Sequence, residues 1–138
     1  MADLNLAAAW VGILLGLAGG AVLGLFFQGE EWLGGYGSWR RRLLRLGHVS
    51  LFGLAFLNLA FVATADRMGW RAGEAPGIEA ASALFAAGAA LMPAACGLAA
   101  WRKPLRPLFA LPVACLVSAA GLVAWALVVA PVGKGAGS

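Results

Sequence analysis

The sequence has few charged residues and a single histidine, and both shortages limit what the protein can do. Charged side chains make up 12% of the 138 residues, and hydrophobic ones make up 62%. Soluble domains carry about 25% charged residues, so lipid is the expected solvent for much of this chain. His48 is therefore the only side chain that we expect to titrate near neutral pH or to bind a metal strongly.

Other absences exclude whole classes of function. The apolar runs carry no acidic residue, which argues against a self-contained ion-coupled transporter. Neither a phosphate-binding loop, a hydrolase motif nor a metal-ligand cluster is present, so we expect no catalytic activity from the chain alone. Cys96 and Cys115 lack C-x-x-C spacing and are expected to be small apolar residues, with a disulfide or metal pair as the alternative.

The positive charge of the chain has a membrane explanation. The net charge is +4, but the arginines flank apolar runs and do not form a continuous basic face, so no nucleic-acid partner is expected. The first apolar run follows Asp3 with no Lys or Arg before it, unlike a cleavable signal peptide. We therefore expect this run to remain as a membrane span.

Long apolar runs predict an all-α integral membrane protein, a four-helix bundle of two antiparallel transmembrane hairpins. The run from Leu46 to Ala65 contains 20 residues and no formal charge, which is about the length that a bilayer core requires. One domain, 1–138, is expected to contain all four spans. The predicted spans are 4–27, 46–65, 80–101 and 108–132.

The distribution of basic residues predicts the orientation. Segments 28–45 and 102–107 hold seven of the ten Lys and Arg residues. The positive-inside rule then places both termini outside the cytoplasm, in the inner membrane of a bacterium. Aromatic and basic side chains in and next to these segments are expected to anchor the chain at the lipid headgroups. These predicted anchors are Trp32, Tyr36, Trp39, Arg40, Arg41, Arg42, Trp101 and Arg102.

Glycines recur every four residues in the first span, at Gly12, Gly16, Gly20 and Gly24. Residues four apart share a helix face, so the series predicts a glycine zipper that receives another helix of this chain or of a second copy. A surface for a cofactor or a lipid tail is the alternative. Asn58 in the second span is expected to hydrogen-bond to a neighbouring helix.

His48 is the main candidate for chemistry. As a packed or interfacial histidine it would be satisfied by Ser50, a backbone carbonyl or water. Alternatively, it is a metal or haem b ligand, or a proton-handling group beside a quinone. Met92, about one turn deeper in the membrane on the third span, is the candidate second haem ligand, unless a second copy supplies its own His48.

The stretch WLGGYGSWRRRLLRLGHVSLFGLAFLN, residues 32–58, resembles small four-span bacterial membrane proteins without an assigned function. It also resembles the histidine-bearing helices of haem-containing respiratory membrane subunits. The resemblance implies a setting among bacterial respiratory or electron-transfer complexes. Because the chain has one histidine, a copper centre and a pair of axial histidines are not implied.

Three hypotheses for the function follow. The first is a small non-catalytic subunit or assembly partner of a larger bacterial membrane complex, in which lipid, other subunits or a second copy are the partners. The second is a b-type haem or quinone-binding membrane protein that uses His48. The third is a small transporter or channel with a polar path along Asn58, Ser50 and His48.

Overall fold

Four α-helices account for most of the computed structural model, which describes residues 2–70 and 77–129. The prediction of an all-α four-helix membrane fold is confirmed, because four helical segments are long and apolar enough to cross a membrane. Two short 3-10 segments, Trp32–Gly34 and Lys103–Phe109, lie in the connections. The helices are α1 Ala2–Phe27, α2 Trp39–Met68, α3 Ile78–Trp101 and α4 Ala110–Val129.

Helix α2 begins earlier than hydropathy predicts. The apolar run starts at Leu46, but the helix starts at Trp39. Ser38 caps it, since the Ser38 hydroxyl accepts a hydrogen bond from the backbone N–H of Arg41 at 3.2 Å. Serine is among the best residues for this position. The four arginines that precede the predicted span therefore stand on the first turns of α2.

The other boundaries differ from the predicted spans by a few residues. Helix α2 continues to Met68, where Gly69 adopts φ +65° and ends the helix in the left-handed region that glycine tolerates best. Helix α3 runs without interruption through Pro93. The predicted basic turn at 102–107 falls within the 3-10 segment, and residues 130–132 of the fourth predicted span lie outside the described part of the chain.

Helices α2 and α3 form the centre of the bundle. Helix α1 packs on α2 and also contacts α3, whereas α4 packs on α3. Successive helices run in opposite directions, so residues 28–45 and 102–109 lie at the same end of the bundle. We call this the basic end. It carries seven of the ten Lys and Arg residues of the chain.

The buried core separates into two clusters. One lies toward the end opposite the basic end and is formed by Phe61, Val62, Ile78, Ala81, Phe85, Ala119 and Ala126. The second lies at the basic end and is formed by Leu43, Ala99 and Ala100. Between the two clusters lies the segment of α2 that contains Gly47 and His48.

Candidate ligand groove beside His48

The His48 side chain lies between α2 and the glycine-rich face of α1. It is nine residues after the start of α2, about 14 Å along the helix axis. Its ring packs edge-on against Phe52, with 5.4 Å between the ring centroids and 88° between the planes. Opposite it is Gly20, where an added Cβ would lie 2.8 Å from Cε1 of His48. The absence of a side chain at Gly20 therefore makes room for the imidazole.

The buried nitrogen of this imidazole has no hydrogen-bond partner. Nδ1 of His48 is buried and unpaired. Ser50, which the sequence suggested as a partner, donates its hydroxyl proton to the carbonyl oxygen of Gly47 at 2.7 Å. An unpaired buried polar atom costs about 1–3 kcal/mol, so a ligand that supplied the missing hydrogen bond would recover part of that cost.

An apolar groove with a volume of about 190 Å³ runs beside His48 and opens at the surface of the bundle. Helices α1, α2 and α3 all contribute to it. Its residues are Gly19, Leu23, Leu43, Leu44, Gly47, His48, Leu51, Pro93, Cys96 and Gly97. Apart from His48 and the Cys96 thiol, the side chains that line the groove are apolar or absent. The groove therefore combines leucine walls with a single strong hydrogen-bonding group, the imidazole.

Small residues create this space. At Gly47, an added Cβ would lie 3.0 Å from Cβ of Cys96, so α2 and α3 approach each other closely at that level. At Gly97, an added Cβ would meet no atom within 4 Å, which leaves one side of the groove open. Both cysteines are free thiols, and Cys96 is packed against Gly47.

The groove suits a ring-sized headgroup better than a porphyrin. Pockets for drug-sized ligands have volumes of about 300–1,000 Å³, and this groove has about 190 Å³. Met92, the sequence candidate for a second haem ligand, is not among the residues that line it. Within residues 2–70 and 77–129, no group of three or more His, Cys, Asp or Glu side chains could hold a metal ion.

Three of the four glycines in the predicted series face α2. Gly12 approaches the Leu51 carbonyl oxygen and Ala55, and Gly16 faces the Phe52 ring. Gly20 faces His48, as described above. Gly24 is different, because an added Cβ there would have no neighbouring atom within 4 Å.

Asn58 belongs to a buried polar network outside the groove. Its side-chain oxygen accepts a hydrogen bond from Nδ2 of Asn5 at 2.7 Å. The hydroxyl of Ser82 donates to the side-chain oxygen of Asn5. Asn5 and Asn58 are 0% exposed and Ser82 is 2% exposed. The network therefore joins α1, α2 and α3, and among the described residues no hydrogen bond links Asn58 to Ser50 or His48.

Some of the predicted interface anchors are buried or partly buried in the protein, and the others are exposed. Arg41 is 2% exposed, and its guanidinium donates to the carbonyl oxygens of Glu30 at 2.9 Å and Phe27 at 3.3 Å. It therefore satisfies the last carbonyl group of α1, where a cation is favourable, and a carbonyl group of the connection that follows. Trp32 stacks on Phe26 with 5.5 Å between the ring centroids. Arg40, Arg42, Tyr36, Trp101 and Arg102 are exposed, and Trp39 is partly buried.

Sequence reasoning missed Asn5, Ser82 and the structural role of Arg41. Asn5 is a polar residue inside an apolar run, which is a signal that the polar side chain has a buried partner. For Arg41 no such signal exists, because its neighbours Arg40 and Arg42 are identical to it and are exposed. No protein-family model, curated protein or solved structure matches the chain.

Proposed function

We propose that this protein is a small non-catalytic membrane protein that binds the polar ring of a lipid-soluble molecule, of the quinone class, in the groove beside His48. The observations that carry the proposal are the missing hydrogen-bond partner of the buried Nδ1 of His48 and the apolar groove that His48 lines. A neutral imidazole has one donor and one acceptor nitrogen. It can therefore donate to a quinone carbonyl or accept from a quinol hydroxyl, while the leucine walls contact the apolar ring and tail.

The test uses the fact that His48 is the only histidine. In protein labelled with ¹⁵N-histidine, the imidazole resonances report on one residue. We expect a short-chain quinone to shift them saturably, and His48→Phe to weaken its binding about five- to tenfold, the value of one hydrogen bond. Ser50→Ala is the matched control, because that hydroxyl bonds within its own helix. Equal affinity of the His48→Phe variant and the unmodified protein would disprove the role of His48.

Haem b is the alternative ligand for His48, and an absorption spectrum distinguishes it from a quinone. A Soret band that shifts on dithionite reduction and is lost in His48→Ala would make His48 an axial ligand. Because Met92 does not line the groove, the second ligand would then come from a second copy or from another subunit.

A second candidate function is a subunit or assembly partner of a larger bacterial membrane complex, of the respiratory or electron-transfer kind. Trp10 supports it. This residue lies eight residues into α1, about 12 Å from its start, and is 64% exposed. Tryptophan is typical of the membrane interface, but Trp10 lies well inside an apolar helix. An indole N–H away from water usually has a hydrogen-bond partner. Contact with another subunit or a second copy would supply that partner to Trp10. Co-purified membrane proteins that are lost in Trp10→Leu would support this function.

We further propose that the protein lies in a bacterial inner membrane with the basic end in the cytoplasm, because Lys and Arg are concentrated there. Gly37 and Asp66, at opposite ends of α2, are suitable for labelling since both are exposed. In a background without the native cysteines, an impermeant maleimide added from outside should label Asp66→Cys and not Gly37→Cys. The reverse pattern would invert the topology.

A further inference from the structure

At one corner of the basic end, the start of α2 meets the end of α3 and the 3-10 segment that follows. The indole N–H of Trp39 donates to the carbonyl oxygen of Ala99 at 2.9 Å, which joins α2 to α3. Cζ of Arg106 lies 4.1 Å from the centroid of the Trp39 ring. Cζ of Arg40 lies 5.2 Å from the centroid of the Trp101 ring. Aromatic rings therefore position two of the arginines at this corner.

The same corner concentrates positive charge. We define it as Trp39, Arg40, Trp101, Arg102, Lys103 and Arg106, and call it the cationic corner. All four of its basic residues are exposed. The sequence has no acidic residue between 38 and 65 or between 80 and 129. The two acidic residues at the basic end, Glu30 and Glu31, lie in the α1–α2 connection. Near the cationic corner, α2, α3 and the 3-10 segment therefore supply no acidic side chain, because Asp66 and Glu79 lie at the opposite ends of α2 and α3.

We propose that the cationic corner binds the headgroup of an anionic phospholipid. Arginine donates two parallel hydrogen bonds to a phosphate, and basic sites between transmembrane helices on one face of the membrane suit such headgroups. Tryptophan rings are typical of this depth. Leu98, three residues before Trp101 on α3, and Leu111, in the first turn of α4, both expose apolar surface. A phospholipid matches both features, since its phosphate faces the cations and its acyl chains contact the leucines.

Native mass spectrometry can test this proposal with protein equilibrated in mixed micelles of phosphatidylglycerol and phosphatidylcholine. We expect the protein to retain phosphatidylglycerol preferentially, and Arg106→Gln to weaken that retention about fivefold, the effect of one basic charge near a membrane surface. Arg67→Gln removes the same charge from an exposed position in the last turn of α2, at the opposite end. That control should retain the lipid as the unmodified protein does.

The substitution Arg106→Lys distinguishes the effect of the positive charge from the effect of its placement over the Trp39 ring. A lysine keeps the charge but not the planar group that stacks on Trp39, so its retention should fall between those of Arg106 and Gln. If Arg106→Gln and Arg67→Gln weaken retention equally, or neither does, the corner is not a lipid site. Displacement of the lipid by millimolar inorganic phosphate would instead indicate a site for a soluble anion and would overturn the proposal.

Discussion

Gly16→Leu is expected to destabilise the folded protein by about 1–3 kcal/mol, whereas Gly24→Leu on the same helix should cost less than about 0.5 kcal/mol. At Gly16, an added Cβ would lie 2.8 Å from two atoms of the Phe52 ring. A leucine there must displace the ring or separate α1 from α2. At Gly24, the added Cβ meets no atom within 4 Å, so a leucine projects into lipid.

Unfolding of both variants by SDS in mixed micelles, followed by circular dichroism, measures the difference. The two substitutions are chemically identical, so their effects on helix propensity and hydrophobicity cancel in the comparison. Their difference isolates the contact between α1 and α2. Equal stabilities of the two variants would show that α1 does not use this face against α2.

The glycine series illustrates what sequence can predict and what it cannot. A period of four predicts a shared face because helix geometry is local. It does not predict which members touch a partner, because that depends on the residues across the interface. Residues Ala55, Phe52 and His48 of α2 face the first three glycines. The next position along that face is near Arg45, whose guanidinium lies over the Tyr36 ring, and Gly24 has no contact.

Hydropathy predicted the four helices but not the start of α2 or the surroundings of His48. Because arginine is strongly polar on a hydropathy scale, hydropathy predicts a loop for residues 40–45. An arginine on a helix can nevertheless place its charge against an aromatic ring or a carbonyl oxygen. The groove depends on residues from three helices, among them Gly19, Gly47 and Pro93. Those residues are separated in sequence, and no local pattern brings them together.

Asn5→Leu is expected to cost about 3 kcal/mol, because it removes the residue that links the buried polar network. Asn5 donates to Asn58 and to the backbone oxygen of Ser82, and accepts from the Ser82 hydroxyl. A leucine would leave buried polar atoms on both α2 and α3 unpaired, at about 1–3 kcal/mol for each. The carbonyl oxygen of Leu54 would remain available to Nδ2 of Asn58, so the loss falls mainly on the contacts that join different helices.

Unfolding in the same micelles measures this loss, and Thr64→Val is its control. The Thr64 hydroxyl bonds to the Ala60 carbonyl within one helix at 2.8 Å, so its removal should cost less than about 0.5 kcal/mol. Adding Asn58→Leu to Asn5→Leu should cost less than the sum of the two single effects, because the unpaired partner is removed with it. Simple additivity would mean that the two amides do not interact.

A cost for Asn5→Leu no larger than for Thr64→Val would mean that the network does not hold α1 against α2 and α3. The groove beside His48 would then depend on the glycine contacts of α1 alone.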